Sequence, residues 1–289
     1  MSSSDDSEIP TPRLPPELER YIFEMSALAY KSSIPSYLLV AQRVHIWLEP
    51  LLYDVLALDY SAQPQNERDP TPADLRTQGF LDAHVRHLSV SGAARLDQLL
   101  PLLAACTQIT DLALWISSPT PALLPQLAAL PLRRLVADLT GLFGGPLRVT
   151  FAHPLFGALT HLDVRGARFD DWRLHAGLAH VPHLTHLAFR DRFLPRVLRG
   201  ALAHCARLQV LGVVWAARRS IGDVQEAEVV DARLFMVVCA DPVAEWETSA
   251  RGGVDCMWRR AEAFVKKKQA GEIKLSRLWL KQFKAPTVV

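Results

Sequence analysis

The chain has 289 residues, nearly balanced charge (32 Lys and Arg against 30 Asp and Glu, net +2) and 49% apolar content. That composition fits a folded chain with a sizeable core and excludes a strongly charged disordered polymer. No apolar stretch is long enough to span a bilayer, and four cysteines do not suggest a disulfide scaffold, which points to reduced thiols in cytosol or nucleus.

Residues 1–13 read as a disordered leader, because Met1 to Glu8 is polar and acidic, unlike a secretory signal. Residues 14–58 read as a small helical module. Leu14-Pro15-Pro16-Glu17-Leu18 opens a helix: the prolines suit a first turn, and Glu17 and Glu19 favour its positive end. Leu18, Tyr21, Ile22 and Met25 then fall on one apolar face, with Phe23 off that stripe and free to face something else. Ile34-Pro35 punctuates. A second helix runs through Leu38, Leu39, Val40, Val44, Trp47 and Leu48, and Pro50 restarts the chain into Leu51-Leu52-Tyr53. These helices carry more apolar surface than they can bury among themselves. Residues 59–79, rich in Pro, Gln, Asp and Thr, read as a linker or inserted loop.

Residues 80–241 carry an internal repeat. Six runs share one grammar: Val85-x-x-Leu88-x-Val90, Ile109-x-x-Leu112-x-Leu114, Leu132-x-x-Leu135-x-Ala137, Leu159-x-x-Leu162-x-Val164, Leu184-x-x-Leu187-x-Phe189 and Leu208-x-x-Leu211-x-Val213. Their central residues are spaced by 24, 23, 27, 25 and 24. A period in the twenties with this apolar spacing is the signature of a leucine-rich repeat solenoid, an α/β fold with a parallel sheet on its concave face. Leu234-x-x-Val237-x-Cys239 reads as a seventh run. Three residues before the first apolar position stand Cys106, Ala129, Phe156, Val181 and Cys205, as expected where return segments pack back onto the core. Cys106 and Cys205 are four repeats apart, about 19 Å and too far for a bridge. The asparagine usual after the strand is missing, since Asn66 is the only one in the chain, so the turns must close differently.

The alternate strand positions point away from that core. They offer a recognition surface: His87, Asp111, Arg134, His161 and His186 at the third positions, and Trp115, Asp138, Arg165 and Arg190 at the seventh. Trp and Arg are frequent interface anchors, although any solvated repeat face is also polar. Residues 242–289 read as a cap helix at about 255–269 and a basic tail, with Trp246, Trp258 and Phe264 sealing the open end of the core. From Trp258 to Lys284 there is a local excess of seven positive charges, which reads more simply as a solvated helix face than as a site for an acidic partner.

The stretch LPPELERYIFEMSALAYKSSIPSYLLVAQRVHIWLEPLLYDVLAL resembles an F-box, in the form carried by fungal F-box-like proteins with trailing leucine-rich repeats. The matching elements are Leu14-Pro15, Glu17-Leu18, Ile22-Phe23-Glu24, Leu38-Leu39-Val40, Arg43-Val44 and Trp47-Leu48, and Trp258 to Phe264 is similar to the C-terminal helix of such proteins. The resemblance implies the substrate-recognition subunit of an SCF-type (cullin-RING) ubiquitin ligase. Its helical module would dock a Skp-type adaptor protein and its repeats would hold a target protein. Leu14, Pro15, Leu18, Ile22, Phe23, Val40 and Trp47 would divide between adaptor contact and packing of the module. The alternatives are a solenoid cap without adaptor binding and a stand-alone repeat scaffold. No catalytic residue, cofactor, membrane or nucleic-acid partner is expected, and the location expected is cytoplasmic or nuclear.

Other constellations carry less. His180, His183 and His186 lie three apart, and His161 would neighbour His186, but no Cys or carboxylate completes an evident zinc set. Gly141-Leu142-Phe143-Gly144-Gly145-Pro146 lacks the Lys and Ser/Thr of a phosphate loop.

Overall fold

The computed structural model describes residues 14–61, 78–116, 120–166, 177–190, 195–216 and 229–280. The expected leader, most of the 59–79 linker and the end of the basic tail lie outside them. The chain divides into two compact units, Met1–Asp54 and Val55–Val289.

The first unit holds helices α1 (Pro16–Ala29), α2 (Ile34–Tyr37) and α3 (Gln42–Tyr53). Pro15 caps α1, its carbonyl accepting from the Leu18 and Glu19 amides at 3.0 Å, and Glu17 and Glu19 lie in the first turn. Ala27, Ile34, Val44 and Leu48 form a small buried core, with Phe23, Tyr37, Leu38, Trp47 and Leu51 packed around it. Phe23 meets Tyr37 edge-on at 5.8 Å, and Tyr37 shares a 2.8 Å hydrogen bond with Ser26. Arg43 on α3 grips Glu19 on α1 through two bonds, Nε to Oε2 at 2.9 Å and Nη2 to Oε1 at 2.7 Å.

Two expectations change here. Pro50 does not restart the chain, because α3 runs through it to Tyr53. The proline removes one hydrogen bond near the helix end, where the orphaned Ile46 carbonyl belongs to an exposed residue and can be hydrated. And the helical module ends before 58: Val55–Tyr60 is a strand.

The second unit is α/β, built on one eight-stranded parallel sheet whose order is the chain order: β1 (Val55–Tyr60), β2 (His87–Gly92), β3 (Asp111–Trp115), β4 (Arg134–Ala137), β5 (His161–Val164), β6 (His186–Arg190), β7 (Val210–Trp215) and β8 (Leu234–Val238). Crossovers between parallel strands share one hand. A strictly sequential order therefore stacks the described return segments on the same face. These returns include α4 (Gln78–His84), α5 (Leu96–Ala105), α6 (Leu124–Ala129), α7 (Leu139–Leu142) and α8 (Pro195–His204).

On that outer face the repeat reads out as predicted. Leu88, Leu112, Leu135, Leu162, Leu187 and Leu211 stand side by side in register, as do Val90 with Leu114, and Ala137, Val164, Phe189 and Val213 in turn, and none is more than 4% exposed. Cys106, Phe156, Val181 and Cys205 are buried beneath the returns, whereas Ala129 is exposed.

The final run has a different register. Leu234 pairs with Leu211 and Met236 with Val213, so Val237, expected on the outer face, aligns with Val214 on the inner one. An odd shift of register changes the face of every side chain.

Alignment is held at the strand starts. The carbonyls of Arg86, Thr110, Arg133, Thr160 and Thr185 each accept two amides from the next repeat at 2.7–3.2 Å. Hydroxyls of Thr110, Thr160 and Thr185 bond the preceding carbonyls at 3.0–3.3 Å. This ladder takes up backbone groups at the end of the strand opposite to the missing asparagines.

The inner face is closed by two helices, α9 (Pro242–Ala250) and α10 (Met257–Gln269). Trp246 packs against Val55, Ala113, Trp115 and Val136. Met257, Trp258, Ala261, Phe264 and Val265 pack against Val210, Val214, Phe235 and Val237. Trp246, Trp258 and Phe264 therefore cover the face of the sheet rather than seal its end. The edge beyond β8 is extended by residues 278–280, where Met236 exchanges amide and carbonyl bonds with Leu278 and Leu280 at 2.7 and 2.8 Å. Among the described residues no helix is long and apolar enough to cross a membrane.

Candidate functional site

The strand positions proposed as a recognition surface are brought together, and most of them are interior. Asp111 and Asp163 are 2% and 3% exposed, and Trp115, His186 and Arg190 are also buried. His87, Arg134, Asp138, His161 and Arg165 are half-buried. The surface predicted to be open is a polar layer between the sheet and α9–α10.

Its charges are paired. Arg190 clasps Asp163, with Nε at 3.0 and 2.8 Å and Nη2 at 2.7 Å from the carboxylate. Burial alone would lower the Arg190 pKa, but the Asp163 charge and hydrogen bonds outweigh it and hold the guanidinium firmly protonated. Asp111 takes three neighbours, His87 and Arg134 at 3.5 Å and the Trp246 indole N–H at 3.0 Å, and Arg134 in turn donates to the Ser249 hydroxyl at 3.1 Å. Trp115 donates to Ser89 at 3.0 Å and has two guanidiniums, those of Arg165 and Arg190, each 5.0 Å from its ring. Arg165 also donates to the Leu114 carbonyl at 3.0 Å. Asp138 accepts the Gly141 amide at 3.1 Å and so caps α7, which gives it a structural duty.

The histidines pair off rather than gather. His161 and His186 stack at 4.0 Å with Trp258 edge-on to both. His186 Nε2 is 3.1 Å from Glu262 on α10, and each ring's Nδ1 meets its preceding threonine hydroxyl at 2.8–2.9 Å. Burial, then the charges of His186 and Arg134, push His161 down to about 2. Burial likewise lowers His186, with Glu262 pulling the other way. His183 points elsewhere, 3.4 Å from an Arg207 nitrogen, and His180 is exposed. Among the described residues no group of three His, Cys, Asp or Glu is arranged to hold a metal ion.

The inner wall was not foreseen. Glu245, Trp246, Ser249, Trp258 and Glu262 complete the layer, and between Asp111, Asp163, Arg190 and Glu245 lies a cavity of about 20 Å³, room for one water molecule. Glu245 accepts the Met257 amide at 2.7 Å, tying α9 to the start of α10, and burial raises its pKa. One signal in the sequence pointed to this wall. Of the six fifth strand positions, Ala113, Val136, Ala188 and Gly212 are small or apolar, as a covered face favours, and Ser89 and Asp163 are polar. A β-carbon on Gly212 would lie 2.6 Å from the Phe235 ring, so its absence makes room for that side chain.

On α10 the basic run divides as a solvated helix face would. Arg259, Lys266 and Lys267 are exposed, while Lys268 is buried, donating to the Leu234 carbonyl at 2.8 Å with its pKa pushed down to about 8 by burial.

In the helical unit the arrangement is the reverse of expectation. The stripe Leu18, Tyr21, Ile22 and Met25 is 49–61% exposed, and Leu14, Leu28, Leu39, Val40 and Ile46 are exposed as well. Phe23, read as free, lies in the core group, as does Trp47. Of the seven residues proposed for adaptor contact, Leu14, Pro15, Leu18, Ile22 and Val40 are therefore outward, and Phe23 and Trp47 are packing residues.

No protein-family model matches the chain, and no curated protein does.

Proposed function

We propose that the chain is the substrate-recognition subunit of an SCF-type ubiquitin ligase: a leucine-rich repeat array carrying an F-box-like helical unit that docks a Skp-type adaptor. The observation that carries this reading is the apolar stripe of α1, which faces outward across Leu18, Tyr21, Ile22 and Met25 while the helix packs inward through Phe23 and Ala27. A helix that leaves its more apolar face to solvent marks an interface. The subunit performs no chemistry; it raises the effective concentration of a target near the transfer machinery. It needs no cofactor, and its partners are proteins of cytoplasm or nucleus.

A stand-alone binding scaffold is the second reading. It keeps the binding role of the repeats and drops the adaptor, and the covered inner face bears on both readings alike. Co-purification of the full chain with a Skp-type adaptor separates the two. Wild-type protein captures the adaptor, and Ile22→Asp reduces capture at least about tenfold at unchanged melting temperature, as expected for a central interface residue. Absence of capture by the wild type removes the ligase reading. Phe23→Asp is not a clean probe, because that ring supports the unit's own core.

A further inference from the structure

The element that closes the polar half of the inner sheet face is built like a bound peptide. Helix α9 is nine residues long and buries only Glu245, Trp246 and Ala250. Its two side-chain hydrogen bonds to the sheet are an indole N–H donated to Asp111 and a hydroxyl, three residues on, that accepts from Arg134. Residues at i and i+3 share a helix face, so Trp246 and Ser249 read the sheet together. Helix α10, by contrast, is held by a continuous apolar stripe against β7 and β8. The two are joined by a glycine pair in which Gly252 has φ +75°, a conformation that suits a sharp turn between independently seated helices. The α9 interface also holds a water-sized cavity and a buried carboxylate, Glu245, features that weaken an interior contact.

We propose that α9 is an internal occupant of a target-binding groove on the inner sheet face, and that it lifts while α10 stays seated, admitting a partner helix. The partner carries an aromatic N–H or O–H donor, a hydroxyl three residues on and a small residue next to it, the pattern of Trp246, Ser249 and Ala250. This rests on the reading of the chain as a protein-binding receptor, but not on the adaptor.

The chain contains its own reporters. All four cysteines are free and buried: Cys239 and Cys256 flank α9, while Cys106 and Cys205 lie under the return segments. In the native wild-type chain, maleimide labelling of Cys239 and Cys256, each rate scaled to that in the urea-unfolded chain, is at least about tenfold faster than that of Cys106 and Cys205, the signature of sub-global opening. Equal scaled rates for all four thiols overturn the proposal. A second arm uses a fluorescent peptide of residues 241–251. It binds saturably to full-length Trp246→Ala and at least about tenfold more weakly to wild type, whose groove is occupied, and peptide carrying Phe for Trp loses affinity. Equal binding to both chains, or to both peptides, counts against the groove. If Trp246→Ala does not fold, thiol labelling of the wild type decides alone. Neither arm contains the adaptor, so loss of adaptor capture and failure of α9 to lift are separate outcomes.

Discussion

The helical unit and the sheet unit dispose of their apolar residues in opposite ways. In the first, the most regular apolar stripe, Leu18, Tyr21, Ile22 and Met25, is turned outward and the core is a handful of side chains around Val44 and Leu48. In the second, the outer face of the sheet is buried and the inner face is largely covered from β3 to β8, including positions whose residues are Asp, Arg and His. Periodicity tells which residues share a side. It does not tell whether that side meets protein or solvent, and here the two units answer differently. The sheet face can be buried because its charges come in pairs: Asp163 with Arg190, and Asp111 with Arg134. The helix stripe is exposed at a cost in solubility, the kind of surface that marks an interaction site.

The contrast can be tested by substitution. The largest effect is expected in the sheet unit. Arg190→Ala leaves the Asp163 carboxylate buried without its partner and costs about 3–5 kcal/mol, read from the urea unfolding midpoint. A loss below about 1 kcal/mol would mean that water reaches the pair and that the inner face is open after all. In the helical unit, Phe23→Ala costs about 2–3 kcal/mol because the ring packs on Tyr37, whereas Ile22→Ala changes stability by no more than about 0.5 kcal/mol. Reversal of that order, measured by thermal melting, would restore the stripe to the core. Gly212→Ala costs about 1–3 kcal/mol by driving a methyl into the Phe235 ring, provided β8 and α10 stay seated.

A separate test is one of pH. His161 and His186 are held neutral, their folded pKa values below the unfolded value of 6.5. Their contribution is present above pH 6.5 and is lost as pH falls through the range below it, at up to about 1.4 kcal/mol per pH unit for each histidine. Burial and the Arg134 charge oppose protonation of both rings, His186 opposes it at His161, and Glu262 favours it at His186. His161→Gln therefore flattens the slope between pH 6.5 and 5 more than His186→Gln does. An unchanged slope in His161→Gln would show that the ring is hydrated.

Much of the sheet was legible because the outer ladder is enforced by simple burial. Leu88 to Leu211 stand in register at every step predicted from the period. The first strand escaped because its repeat is longer. Leu56-x-Leu58 fits the grammar, but 32 residues separate Leu56 from its neighbour Leu88. The last strand slipped because β8 is apolar on both faces, Leu234 and Met236 on one and Phe235 and Val237 on the other, so alternation gave no register. The inner wall escaped because nothing local links Asp111 to Trp246, 135 residues away, or His186 to Glu262.

From the order of its amino acids alone, this protein has a parallel α/β repeat array, a short helical unit ahead of it and a specific set of side chains for each side of every strand. Those are local matters, fixed by backbone pleat and by the insolubility of leucine. Which sides are hidden was decided by the return of the chain's end across the sheet and by the roll of one helix about its axis. Both depend on contacts between residues far apart in sequence, where the balance between burying a charge pair and hydrating it is set by geometry that no single segment contains.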